Sequence, residues 1–82
     1  MKEMIEYVVK GIVDNPEDVR VTQVGGETSI IFELRVHQDD IGKVIGKNGR
    51  TVNAIRTLLN VMAARRGVRA SLEVLDDSVP AS

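Results

Sequence analysis

Cysteine is absent from this 82-residue chain, and histidine occurs once, at His37. No disulfide framework or thiolate metal site can form, and one imidazole is too few for a histidine-based metal centre. The expectation is a chain that uses no metal and no other cofactor. Aromatic residues are nearly missing as well, Tyr7 and Phe32 being the only two. A platform of rings on which successive bases stack is therefore excluded. No apolar run approaches the roughly 18 residues that a membrane span needs, and the opening residues lack a basic stretch followed by an apolar core. A cytoplasmic location without membrane contact is expected. A chain this short makes one small domain that buries only about 60 to 65% of its unfolded surface, so support from a partner or a second copy is plausible.

Acidic residues are missing from one part of the chain. Residues 41 to 72 carry Lys43, Lys47, Arg50, Arg56, Arg65, Arg66 and Arg69 and no acid, whereas residues 1 to 40 carry nine acids against four cations. The formal net charge of -1 hides this segregation. Charge sorted in this way suits a polyanion on one face while the other face repels it. A solvated helix face has the same composition, and charge alone does not separate the two readings.

No linker, repeat or low-complexity segment divides the sequence, which reads as one domain over residues 1–76 with a short polar tail at 77–82. Met1, Met4, Ile5, Val8, Val9 and Ile12 recur at helical spacing, and Asn15-Pro16 should end that helix because a residue before proline avoids the helical region. Val19, Val21 and Val24 mark a short strand. Ile30, Phe32, Leu34 and Val36 then alternate with Ile31, Glu33 and Arg35, which predicts a hairpin with Gly25-Gly26 as its turn. A short helix capped by Gln38 or Asp39 should run to about Ile45 and stop at Gly46. Gly42 inside it gives up about 1 kcal/mol relative to alanine. Either a neighbouring helix or a ligand must then come close. A longer helix, about Arg50 to Arg66, turns Val52, Ile55, Leu58, Leu59 and Met62 inward and ends at Gly67. A last strand, about Val68 to Leu75, alternates Val68, Ala70, Leu72 and Val74 against Arg69, Ser71 and Glu73. The order α-β-β-α-α-β predicts a two-layer α+β sandwich, a three-stranded mixed sheet with helices on one face.

The densest signal is residues 41 to 50, Ile-Gly-Lys-Val-Ile-Gly-Lys-Asn-Gly-Arg. Gly46-Lys47-Asn48-Gly49 places glycine at both ends of a turn, a cation within it and a helix start after it. Such a turn can bring backbone N–H groups against an anion. With its surroundings through Ile55, the stretch resembles the signature of the KH domain, in which an isoleucine-glycine pair opens a GxxG loop. The element order resembles the prokaryotic type II form, with the helix-loop-helix core at 38–67. Up to Asp76 the whole chain resembles the small bacterial KH proteins of the KhpA family, including Val13-Asp14-Asn15-Pro16, Glu33-Leu34-Arg35-Val36 and Arg56-Thr57-Leu58-Leu59-Asn60.

The resemblance implies a loop that clamps the backbone of about four unpaired nucleotides while bases lie in an adjoining groove. On that reading Gly46 and Gly49 admit the backbone of single-stranded RNA, and the N–H groups of Lys47, Asn48 and Gly49 are the phosphate donors. Lys47 and Arg50 add charge, and Lys43, one helical turn earlier, extends the contact. Ile41, Val44 and Ile45 are core by their spacing, yet the resemblance implies that Ile41, Gly42 and Ile45 belong to the groove. Arg65, Arg66 and Arg69 either balance a helix dipole or form a second basic patch, and His37 at a strand exit is structural or simply exposed. The resemblance further implies an RNA chaperone or post-transcriptional role tied to cell shape and envelope growth. It also implies a homodimer or pairing with a second KH protein of the KhpB (Jag) type, and a mainly scaffolding role is the alternative.

Other classes fit less well. A phosphate-binding NTPase loop would need one more residue between Gly42 and Gly46, a Ser or Thr where Asn48 stands, and a strand before the turn. The sequence offers no Ser/His/acid or Cys/His set, and Asp39 and Asp40, adjacent on a helix, do not face each other as an acid/base pair would. Catalysis and a small-molecule substrate are not expected. A helix-turn-helix reader of DNA should expose polar residues at the start of its second helix, where Val52 and Ile55 point inward instead.

Overall fold

The computed structural model describes residues 1–75; the boundary expected at 76 and the tail at 77–82 lie outside the described residues. Six main elements follow one another: α1 (Lys2–Ile12), β1 (Arg20–Gly25), β2 (Ser29–Arg35), α2 (Ile41–Ile45), α3 (Arg50–Arg65) and β3 (Arg69–Leu75). Single 3-10 turns cover Pro16–Asp18, Gln38–Asp40 and Lys47–Gly49. The order is the α-β-β-α-α-β expected from the hydrophobic periodicity. In the sheet β2 is central, antiparallel to β1 and parallel to β3. A parallel neighbour demands a long crossover, and α2 and α3 provide it.

The core lies between the sheet and the helices. Ile30, Phe32 and Leu34 of β2 and Leu72 of β3 meet Ile5 and Val9 of α1, Val44 of α2, and Val52, Ile55 and Leu59 of α3. Eleven residues are too few for a helix to persist alone in water. Burying Ile5 and Val9, both at 0% exposure, contributes on the order of 3 to 6 kcal/mol and holds α1 in place. Three details depart from expectation. Leu58 is 50% exposed, because the inward stripe of α3 runs through Ile55, Leu59 and Ala63 and leaves Leu58 on its flank. The hairpin connection is longer than Gly25-Gly26: Gly25 still pairs with Ile30, and the Gly26 N–H donates to the Ser29 carbonyl at 3.1 Å. Neither Gln38 nor Asp39 caps the turn before α2. His37 does so, its Nδ1 accepting the Asp39 N–H at 3.0 Å, which gives the lone histidine a structural role.

Asp40, at the start of α2, is buried at 0% exposure. One carboxylate oxygen accepts the Asp14 N–H at 3.2 Å, and the other accepts the Asn15 N–H at 2.9 Å and Asn15 Nδ2 at 3.0 Å. Burial by itself raises the pKa of this carboxyl and is the largest single influence. The bonds from the Asn15 side chain and from the Asp14 and Asn15 N–H groups, with the charge of Lys43, outweigh it and hold Asp40 below the usual aspartate value. A depressed pKa stabilises the fold above the unfolded-state value, and that stabilisation disappears as pH falls through the folded-state value. Asp40→Asn offers one acceptor where three donors converge, so its melting temperature at neutral pH should fall below that of the parent. The gap should narrow in thermal melts taken below about pH 4; a constant gap across that range would contradict the role given to the charge.

Candidate nucleic-acid interface

Local backbone geometry makes the turn between α2 and α3. The Gly46 N–H closes α2 on the Gly42 carbonyl at 2.9 Å, and the Gly49 N–H returns to the Gly46 carbonyl at 3.2 Å. Gly46 has φ 76° and ψ 173°, and Gly49 has φ 76° and ψ 12°. Between them Asn48 sits at φ 56°, ψ 27°, a left-handed conformation that asparagine tolerates better than most side chains. The two glycines are needed for different reasons. A Cβ on Gly46 would lie 2.7 Å from the Thr51 Cβ and 2.9 Å from its backbone N, whereas one on Gly49 would find only Asn53 Nδ2 at an ordinary 3.6 Å. Gly46 is thus demanded by packing and by φ, Gly49 by φ alone. The first glycine shapes the turn from within rather than merely clearing its surface.

Lys47, Asn48 and Arg50 are exposed, and Gly46 and Gly49 are half-exposed. The Arg50 N–H is taken by the Lys47 carbonyl and the Gly49 N–H by Gly46. Among the described residues, the N–H groups of Lys47 and Asn48 have no backbone acceptor, so the donors open to an anion narrow from three to two. Lys43 is exposed but occupied, its ammonium bonded to the Asp14 carboxylate. That hydrogen bond is the main reason its pKa is raised, with the charges of Asp14, Asp40 and Asp39 adding and burial opposing. On α2, Val44 is wholly buried, which makes it core, while Ile41 and Ile45 pack against the core and keep part of their surface open. A Cβ on Gly42 would meet nothing within 4 Å. No neighbouring helix explains that glycine, and the face above it is open.

A depression of about 330 Å³ lies between α3 and the edge strand β3, lined by Arg56, Leu59 and Asn60 and by residues 70–73. Arg56 spans it, with Nε and Nη2 donating to the Leu72 carbonyl at 3.3 and 3.2 Å. In sequence Arg56 reads as one cation of the acid-free run and as part of the Arg56-Thr57-Leu58-Leu59-Asn60 resemblance; its bond to a strand carbonyl is a pairing that spacing does not report. Arg65 and Arg66 lie at the far end of α3 and Arg69 opens β3, away from the turn in sequence and exposed. Val52 and Ile55 are 4% and 2% exposed, facing inward as their spacing predicts. Among the described residues, no group of three His, Cys, Asp or Glu side chains is placed to hold a metal ion, and no helix is long and apolar enough to cross a membrane.

The family model described as "KhpA/KhpB, KH domain" matches residues 2–74. An RNA-binding protein KhpA of Chlamydia pneumoniae is 53% identical over 77 residues, covering 94% of this chain and 99% of that protein. Proteins of the same name from Borreliella burgdorferi and Clostridium perfringens are 50% and 48% identical, covering 90% and 92% of this chain and 90% and 100% of their own lengths. Among solved structures, Era in complex with MgGDPNP and nucleotides 1506–1542 of 16S ribosomal RNA superposes with a TM-score of 0.61 at 18% identity. That match covers 94% of this chain but only 31% of Era, and it is a likeness of fold.

Gly46 and Gly42 separate by substitution. Gly46→Ala should destabilise the domain by about 2 kcal/mol or more, from forced φ and the clash with Thr51. Gly42→Ala should be neutral or stabilise it by about 0.5 kcal/mol, since it lies in a helix with free space. Urea denaturation of both variants checks the contrast, and equal losses would refute the different roles given to the two glycines.

Proposed function

Because the chain belongs to the KhpA/KhpB KH-domain family, a family without catalytic activity, we propose that it binds single-stranded RNA through Gly46-Lys47-Asn48-Gly49. The observation that carries this reading is the turn itself. Two glycines at positive φ hold it in shape, with the Lys47 and Asn48 N–H groups unspent and no side chain at either end to fend off a phosphate. Lys47 and Arg50 supply exposed positive charge at its rim. The half-open Ile41 and Ile45 and the bare Gly42, on the helix that leads into the turn, supply a floor on which about four nucleotides lie. Without aromatic neighbours, base contacts there are aliphatic and hydrogen-bonded, so sequence preference is modest.

Two exposed side chains favour a second, compatible role. Leu58 and Val61, 50% and 56% exposed, lie three residues apart on one flank of α3. A second copy, or a KhpB (Jag)-type KH protein, covers this flank and brings two loops onto one RNA, so that avidity compensates for a weak single domain. An RNA chaperone or post-transcriptional task in the cytoplasm, connected to cell shape and envelope growth, is the physiological setting that the family suggests.

The double variant Lys47→Asp, Asn48→Asp should lose binding to a short single-stranded RNA in fluorescence anisotropy while keeping its circular dichroism spectrum and melting temperature, since aspartate also tolerates the backbone of Asn48. Retained affinity in the folded variant would sink the assignment. For two to four neutralised phosphates the parent's log affinity against log salt should slope at about -1.5 to -3. Separately, Val61→Glu should convert a concentration-dependent dimer to a monomer in sedimentation velocity and weaken RNA binding several-fold; unchanged sedimentation would remove α3 from the interface.

A further inference from the structure

Most cations of the acid-free run are exposed, but Lys43 is held by the chain's own acidic half. Its ammonium pairs with the Asp14 carboxylate, and both side chains are accessible, at 44% and 72% exposure. Asp14 lies 29 residues away in sequence and is delivered to this place by Asp40, which grips the Asp14 and Asn15 N–H groups from beneath. The pairing is therefore built into the fold: the backbone of residue 14 is fixed, and its carboxylate reaches Lys43 from that fixed point. Lys43 stands one turn of α2 before the Gly46-Gly49 loop, next in sequence to the exposed Gly42. A phosphate arriving there meets a cation already neutralised.

We infer that Asp14 is an internal competitor for the phosphate site at Lys43, setting the RNA affinity of the loop below what its cations would otherwise give. This rests on the loop being the RNA site. An exposed ion pair contributes little to stability, so Asp14 is replaceable without loss of the fold, and its backbone donor to Asp40 is kept in any variant. The neighbouring carboxylates do not substitute for it. Asp40 is engaged by its three donors and Asp39 lies 3.7 Å from His37 Nδ1; both act on Lys43 through their charge, whereas Asp14 is the carboxylate bonded to it.

The test measures binding of a short mixed-sequence single-stranded RNA by Asp14→Asn, Glu17→Gln, Lys43→Gln and the Asp14→Asn, Lys43→Gln double variant across a salt series. Glu17→Gln removes the same charge from an exposed neighbouring position. Asp14→Asn should bind about threefold tighter at low salt or better, with a slope steeper by about 0.7, one additional phosphate contact. Glu17→Gln should change far less, and in the Lys43→Gln background Asp14→Asn should do no more than Glu17→Gln. An equal gain in both backgrounds, or no gain at all, overturns the inference. Lys47→Asp, Asn48→Asp run in parallel distinguishes the failures: if that variant still binds, the loop reading falls and this inference with it, whereas lost binding there with an inert Asp14→Asn overturns the competitor alone.

Discussion

A buried carboxylate with three converging N–H donors is the constraint on which the remaining geometry depends. Removing a charge from water is heavily penalised unless hydrogen bonds replace its hydration, and Asp40 receives those bonds from the segment that follows α1. The consequence is mechanical. A five-residue helix such as α2 has no stability of its own, and one wholly buried side chain, Val44, is little to hold it. Asp40 ties its first turn to Asp14 and Asn15, and Gly46 closes its last, so the stretch leading into the glycine turn is pinned at both ends.

That arrangement divides labour among residues that look alike in sequence. Gly46 shapes the backbone against Thr51, Gly49 supplies a left-handed residue, and Gly42 leaves a face uncovered. The cations divide in the same manner. Lys47 and Arg50 are exposed at the turn, Lys43 is countered by an acid, and Arg56 lies across the depression with its guanidinium on a strand carbonyl. Electrostatic reach toward a polyanion is thus graded along the face rather than spread evenly over it.

Much of this was legible in the sequence, for physical reasons that differ by element. Period-3.6 and period-2 patterns gave α1, β2, α3 and β3 because each buries one face against a single core, and Gly46 and Gly67 gave the helix ends because both adopt positive φ. The glycine turn was legible because few other residues accept its backbone. Less accessible was anything depending on distant pairs. Asp40 reads as one of two adjacent surface acids until Asn15 arrives above it, and Lys43 reads as a free cation until Asp14 does. Leu58 reads as core because hydrophobicity marks what is able to be buried, and one flank of α3 has nothing among the described residues to cover it. The donor set in the turn shrank for a similar reason: the Gly49 N–H is spent on forming the turn itself.

The left-handed Asn48 limits how such a loop diversifies. Of its two inner positions, only that of Lys47 accepts a side chain of any kind, because it asks nothing unusual of the backbone. At position 48 the choice is confined to asparagine, aspartate or glycine if the turn is to keep its form without strain. Retuning of this surface over descent is therefore funnelled through one position in the turn and the side chains around its perimeter, while the frame that carries them stays the same.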